Sequence, residues 1–318
     1  MTLLEPDDAR ELSDLLCIRD KEGRIALRVG LLATMFFAEP WTRSVREAVA
    51  EAADEYVREF RASLRWAENP KTGHMYDIRK RRLIPVRDWL LQHLEAKSYF
   101  FGFHSGELGN SAAEFQVSVL GGNNISKCAG FFQMYLPLTW FADRQDTFMD
   151  FVLRFAARLR PISGYAGVGL QEPLNVYSQE PFQSVVRPIA ERFPGLEIES
   201  PGTHTIDVQK GIKGVNWITI LGDRWVQEIG GTDYLRMRLG DDFKIASYEG
   251  GLAIQAGPAP QIGDVTTNRW PRHYVTLAKV LKPIQIKVPH PFHLGDPNGS
   301  ARLDSAASLA WLCRFDGK

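Results

Sequence analysis

A chain of 318 residues, 44% hydrophobic and 24% charged, is long enough to bury a large core and has the composition of a globular protein. Its 38 Lys and Arg balance 38 Asp and Glu, so no global field gathers nucleic acid, and any partner must be steered by local patches. There is no apolar run of about 18 residues to span a membrane and no secretory pattern, and Cys17, Cys128 and Cys313 are too widely spaced for a zinc knuckle or a disulfide framework; a cytoplasmic chain is expected.

The first predicted element is a short helix at 6–18, with Leu12, Leu15 and Leu16 on its apolar stripe. The stretch RIALRVGLLATMFF (24–37) alternates Ile25, Leu27, Val29 and Leu31 and then turns wholly apolar, as a half-buried and then fully buried strand does. After Pro40, the residues Trp41, Val45, Ala48, Val49, Ala52, Tyr56, Phe60 and Leu64 recur at the helical period, with Arg43, Arg46, Glu47, Glu51 and Arg58 among the charges opposite. This predicts an amphipathic helix lying on a sheet. A turn at 68–73 and a short helix at 87–94 precede strands at 98–104, 113–119 and 129–136. Glycine-rich turns separate those strands, so an antiparallel meander is expected.

A helix at 146–159 buries Phe148, Phe151, Val152, Phe155 and Leu159. A strand around YAGVGL (165–170), a helix at 178–193 and a strand at 215–221 follow. Short helices at 224–239 lead to paired strands at 243–249 and 251–257, a helix at 273–281 and a strand at 284–288. The fold class expected is α+β: mostly antiparallel sheets with helices packed on one face. Pro161, Gly164, Gly167 and Gly169 suggest two lobes, 1–160 and 161–318, with one continuous domain as the alternative.

Residues 290–296 read HPFHLGD. His290, His293 and Asp296 fall three apart, a spacing that serves metal ligation when the side chains share a helix face. Pro289, Pro291, Gly295 and Pro297 exclude a helix, and no nearby cluster adds a fourth ligand, so a loop without metal or cofactor is expected. GFHSGELG (102–109) lacks the Gly-x-Ser-x-Gly of a nucleophile elbow, and LGGNNIS (120–126) opens no helix and lacks the lysine of a phosphate loop. The run Arg79-Lys80-Arg81-Arg82 reads as a solvated edge. No catalytic constellation emerges.

The segment KGVNWITILGDRWVQEIGG (213–231) reads as a strand turning directly into a helix. Trp217 and Trp225 are core anchors there, and Asp223 is the expected helix N-cap. VNWIT (215–219), LGD (221–223) and IGG (229–231) are followed by Gly251-Leu252, QAGP (255–258), Pro260, GDV (263–265) and LKP (281–283). On these residues the chain resembles a bacterial family of type VI secretion immunity proteins associated with nuclease effectors of the restriction-endonuclease-like VRR type. The motif residues are Trp217, Gly222, Asp223, Gly257, Pro258, Gly263 and Asp264. The resemblance covers most of the chain and is most specific in its last third; GDVTTNRWP (263–271) departs from the more Arg/Asn-rich turn of the family.

The resemblance implies a cytoplasmic non-enzyme that binds and neutralises a cognate effector toxin, a nuclease, without touching nucleic acid or membrane itself; homo-oligomerisation stays open. A nuclease must present a positive cleft to DNA, and an inhibitor can fill it with acidic loops. The candidate partner-binding acids are Glu107, Asp241, Asp242 and Glu249. The competing readings are a metal-dependent hydrolase using His290, His293 and Asp296, and an oligomeric scaffold.

Overall fold

Strand β2 sets the architecture. The computed structural model describes residues 6–92, 97–141, 144–293 and 302–318. The strands are β1 (Ile18–Arg19), β2 (Ile25–Phe37), β3 (Trp66–Glu68), β4 (Met75–Asp77), β5 (Tyr99–His104), β6 (Gln116–Gly121), β7 (Gly130–Leu136), β8 (Ser163–Gln171), β9 (Ile218–Gly222), β10 (Phe243–Tyr248) and β11 (Gly251–Ala256). Among the described residues they form one 11-stranded antiparallel sheet in the order β10-β11-β9-β8-β2-β7-β6-β5-β3-β4, with β1 paired to β2. The 13 residues of β2 bond to β7 on one side and β8 on the other, so the sheet runs unbroken from the first half of the chain into the second.

Side chains alternate across a strand, so each strand feeds two faces. Leu27, Val29, Leu31, Ala33, Met35 and Phe37 of β2 point into the main core. Helix Arg43–Glu59 covers that face with Val49, Ala52, Ala53 and Tyr56, and helix Gln145–Leu159 with Phe148, Phe151, Val152 and Phe155. Arg154 and Arg158 reach across to Glu55 at 3.1 and 2.6 Å and tie the two helices together. Under the second half lie helices Asp223–Glu228, Gly231–Leu239 and Arg272–Leu281, contributing Trp225, Leu235, Tyr274 and Leu277.

The opposite face carries a smaller core of its own: Leu32, Phe36, Phe131, Tyr135 and Tyr165, covered by Ala129 and Val208. The segment after Phe193 lies directly on β8. Leu170 N–H donates to Glu197 O and Glu197 N–H to Val168 O, each at 2.9 Å. That approach requires glycine: a Cβ at Gly169 would sit 2.3 Å from Leu32 Cδ2 and 2.9 Å from the Glu197 carbonyl oxygen. The glycines of YAGVGL therefore serve close packing inside the sheet.

Several sequence expectations differ from the structure. Arg46, expected on the polar side of its helix, is buried and donates to the Leu90 and Lys97 carbonyls. Residues 284–288 form no strand; Lys282–Ile284 is a 3-10 turn, followed by a single parallel bridge from Gln285 to Ile212. Pro283 and Pro289 remove ladder donors on either side. Helix Pro201–Asp207 and helix Ser305–Leu312, both unforeseen, carry buried residues beside the second face and the C-terminal end. No helix among the described residues is long and apolar enough to cross a membrane.

Candidate functional site

On the second face, β5, β6 and β7 present Phe100, Gln116, Ser118, Leu120, Phe131, Gln133 and Tyr135 to a cavity of about 570 Å³. Its walls come from distant parts of the chain. Glu172, Pro173, Leu174 and Tyr177 follow β8; Glu199 to Thr203 lead into helix Pro201–Asp207; Phe292 and His293, and Glu68 and Met75 of the β3–β4 hairpin, complete the lining. A cavity of this size suits a side chain or a small molecule.

Polar groups converge beneath it. Lys213, 3% exposed, forms an ion pair with Glu197 at 2.7 Å and donates hydrogen bonds to the Ile198 carbonyl and to Tyr165 Oη. Its ammonium lies 4.6 Å above the centre of the Tyr165 ring. Glu197 Oε2 accepts from Asn216 Nδ2 at 2.9 Å. Glu199 Oε2 accepts from Gln133 Nε2, Thr34 Oγ1 and Tyr165 Oη. A buried charge must be paired and hydrogen-bonded, and this one cation serves two carboxylates.

The supply of partners stops short of the demand. Glu199 Oε1, Gln116 Oε1, Glu172 Oε1 and His293 Nε2 are buried with no hydrogen-bond partner. Burial pushes the Glu172 carboxyl up to about 8, with the Glu199 charge adding to it. Glu68 is pushed up to about 7 by burial alone. Burial also raises Glu199, against the pull of Lys213. The His293 ring is driven down to about 4 by burial and the Arg302 charge, so it is neutral at pH 7.

The acids singled out from sequence lie elsewhere and apart. Glu107 is exposed in the loop after β5, 3.7 Å from Arg19. Asp241 and Asp242 are exposed at one end of β10, Asp242 lying 3.8 Å from His273, and Glu249 pairs with Arg160 at the other end. Since β10 is an edge strand and β5 lies near the far edge, the structure does not bring Glu107 together with the others.

The motif residues hold the second half in place. Trp217 is 1% exposed, stacks on Phe148 and donates from Nε1 to Gly257 O at 3.1 Å. Gly257 and Gly263 adopt φ of +81° and +67°, a region that favours glycine, and Pro258 is exposed between strand and loop. Asp264 caps the 3-10 turn Val265–Thr267; hydrogen bonds from Thr266 and then Arg192 hold its carboxyl down to about 2. Asp223 is not the N-cap expected. Gly222 caps helix Asp223–Glu228, and Asp223 is its exposed first residue with no capping bond. A Cβ at Gly222 would meet Pro161 O at 2.6 Å, so the cap position has no room for a side chain.

The HPFHLGD histidines are separately engaged. His290 donates its backbone N–H to Asp207 Oδ2 and sets Nδ1 against Oδ1, both at 2.8 Å. His293 Nδ1 accepts from Leu303 N–H at 3.3 Å, while its ring faces the cavity. Asp296 lies outside the described residues. Among those described, no group of three or more His, Cys, Asp or Glu is arranged to hold a metal ion. His104 is wholly buried, accepting from Gly106 N–H and meeting Gly109 O, so it organises a turn.

Glu197, Glu199 and Lys213 were not legible as a site. LEIES (196–200) alternates acid with apolar residues, as a solvated edge does, and the lysine is 14 residues beyond Glu199. The available signal was polar residues within otherwise apolar strands: Thr34, Gln116, Gln133 and Gln171.

A solved structure of the Pseudomonas aeruginosa T6SS protein PA0821 superposes on this chain with a TM-score of 0.88 at 27% sequence identity, covering 98% of this chain and 91% of that one. No curated protein matches the chain significantly. The family model TsiV, described as type VI immunity for VRR-NUC, matches residues 48–315, which include the cavity and its buried acids. The protein therefore belongs to the TsiV family of type VI immunity proteins for VRR-NUC effectors.

Proposed function

We propose that this immunity protein neutralises its VRR-type nuclease effector in the cytoplasm by stoichiometric binding and turns nothing over. The observation that carries the reading is the family match across residues 48–315. The polar groups support it. The buried cation Lys213 is committed to Glu197 and Tyr165, and His290 and His293 have different partners, so the reading of HPFHLGD as a metal centre gains no support.

A stable protein complex buries roughly 1,200–2,000 Å² in total, and a few anchors carry most of its energy. The chain is formally neutral, so attraction to a basic effector falls to local surface acids: Glu107, Asp241, Asp242 and Glu249. Because one sheet joins 1–160 to 161–318, both halves are expected to move as one body on binding.

Co-expression with its cognate VRR-type effector tests this. Protection should be titratable and fail once toxin exceeds inhibitor, with a defined ratio in the purified complex. Protection by substoichiometric amounts of this protein would overturn the reading.

A further inference from the structure

The cavity on the second sheet face is incomplete as it stands. Glu199 is 7% exposed; its Oε2 accepts three hydrogen bonds, while Oε1 accepts none and lies 4.0 Å from the Lys213 ammonium. Gln116 and His293 are each 3% exposed, and both line the cavity with Gln116 Oε1 and His293 Nε2 unpartnered. Glu172 Oε1 is shielded and unpartnered in the adjoining wall. Native interiors rarely leave buried polar atoms unmet, and here four residues that line one cavity each carry such an atom.

Their chemistry specifies what is missing. Three are acceptor oxygens, two of them on carboxyls. The fourth is a donor: His293 Nδ1 accepts from Leu303, so the proton of the neutral ring sits on Nε2. Phe100, Phe131, Leu174 and Phe292 add apolar surface to the same cavity. For the three acceptors the complement is a flat cation with several N–H donors that tolerates aromatic neighbours; such a cation offers His293 Nε2–H no acceptor, so that donor lies outside the match. A guanidinium has five such donors in a planar fork and stacks on rings, whereas an ammonium is a compact, strongly hydrated point charge.

The geometry points to this cavity as the socket for an arginine side chain of the effector, its guanidinium held by Glu172, Glu199 and Gln116. The inference rests on the reading of the partner as a nuclease, because an enzyme that grips phosphates must carry arginine or lysine where it does so. Sequestering one such arginine takes a phosphate-binding group out of use and adds a buried anchor of the kind that dominates interface energy.

The test uses the full chain and N-acetyl-arginine amide, with the uncharged isostere N-acetyl-citrulline amide as control, titrated by calorimetry or by NMR shifts of cavity residues. The arginine compound should bind at least about tenfold more tightly than the citrulline compound, and Glu172→Gln or Glu199→Gln should weaken it about tenfold or more. Glu199 belongs to a buried network, so Leu174→Trp, which occupies the cavity without touching that network, is the second variant and should also abolish binding. Equal binding of the two compounds, or undiminished binding by folded variants, would overturn the proposal.

The same variants are then measured against the effector. A loss of tenfold or more supports the socket. Unchanged effector binding by a variant that no longer takes the arginine compound would show that the cavity serves a free guanidinium compound; the effector assignment would fall and the immunity reading would stand. Failure of the unaltered protein to bind or protect against the effector would sink the immunity reading by itself.

Discussion

Lys213 is the residue on which the buried polar network turns. It is 3% exposed, and its ammonium is the counter-charge for Glu197 at 2.7 Å. Removing one member of a buried pair leaves an uncompensated charge, which costs roughly 3–5 kcal/mol, whereas removing both is far milder. Lys213→Met should therefore lower unfolding stability by about that amount in denaturant titrations, and Lys213→Met with Glu197→Gln should recover part of it. A single variant as stable as the parent would show that the pair is not structural. Trp217 makes a mainly apolar counterpart, with one hydrogen bond from Nε1 to Gly257 O. Packed against Phe141 and Phe148 and fully enclosed, it should cost about 3–5 kcal/mol on replacement by alanine, read in the same titration.

Among the elements, the 3-10 turn Val265–Thr267 shows how a side chain stabilises a local shape that propensity does not dictate. Asp264 Oδ1 accepts from Thr266 N–H at 2.9 Å and from Thr266 Oγ1 at 2.6 Å, and Oδ2 accepts from Arg192 at 3.0 Å. Its carboxyl is held at about 2 against an ordinary 3.8, so the unfolded chain binds the proton more readily. The contribution is complete above the ordinary value and is lost as pH falls from there through about 2. Asp264→Asn should lower stability at pH 6 and flatten the decline between pH 4 and pH 2, as measured by thermal unfolding. A parallel acid decline in both proteins would remove Asp264 from the account. At the exposed edge of the sheet, Asp241→Lys with Asp242→Lys should weaken effector binding and make it less dependent on salt, because exposed charges act mainly through screened attraction. Unchanged affinity and salt slope would take that end of β10 out of the interface.

For the whole molecule, Glu172 and Glu68 oppose the usual dependence of stability on pH. Glu172 is raised to about 8 and Glu68 to about 7, both by burial, against an ordinary 4.5. The folded protein holds these protons more tightly than the unfolded chain, so their contribution is full below the ordinary value and is lost as pH rises through about 7 and then 8. The melting temperature of the unliganded protein should fall between pH 5.5 and pH 8.5, and Glu172→Gln should reduce that fall. A cation in the cavity favours the ionised carboxyls, so the arginine compound should protect the fold more at pH 8.5 than at pH 5.5. An unliganded melting temperature that does not change over this range would contradict the burial of these acids.

The division of labour between sequence and tertiary structure follows the range over which each physical effect acts. Side-chain period and turn chemistry act over a few residues, so β2, the meander β5-β6-β7, helices Arg43–Glu59 and Gln145–Leu159, and the β10–β11 hairpin were all readable from local pattern, as was the α+β class they add up to. Of the motif residues that carry the family resemblance, Trp217, Gly257 and Gly263 occupy positions where shape admits few alternatives. Local pattern misplaced the N-cap at Asp223, since the crowding at Gly222 comes from Pro161 and Ile162, some sixty residues earlier in the chain. The same range effect hid the cavity. Gln116, Glu172, Glu199 and His293 meet only because β8 pairs with β2, and because the glycines of β8 admit the Glu197 segment against the sheet. Each of those residues taken singly reads as a solvated polar group; burial, and with it the unmet hydrogen bonds and displaced proton affinities, belongs to the assembled sheet alone.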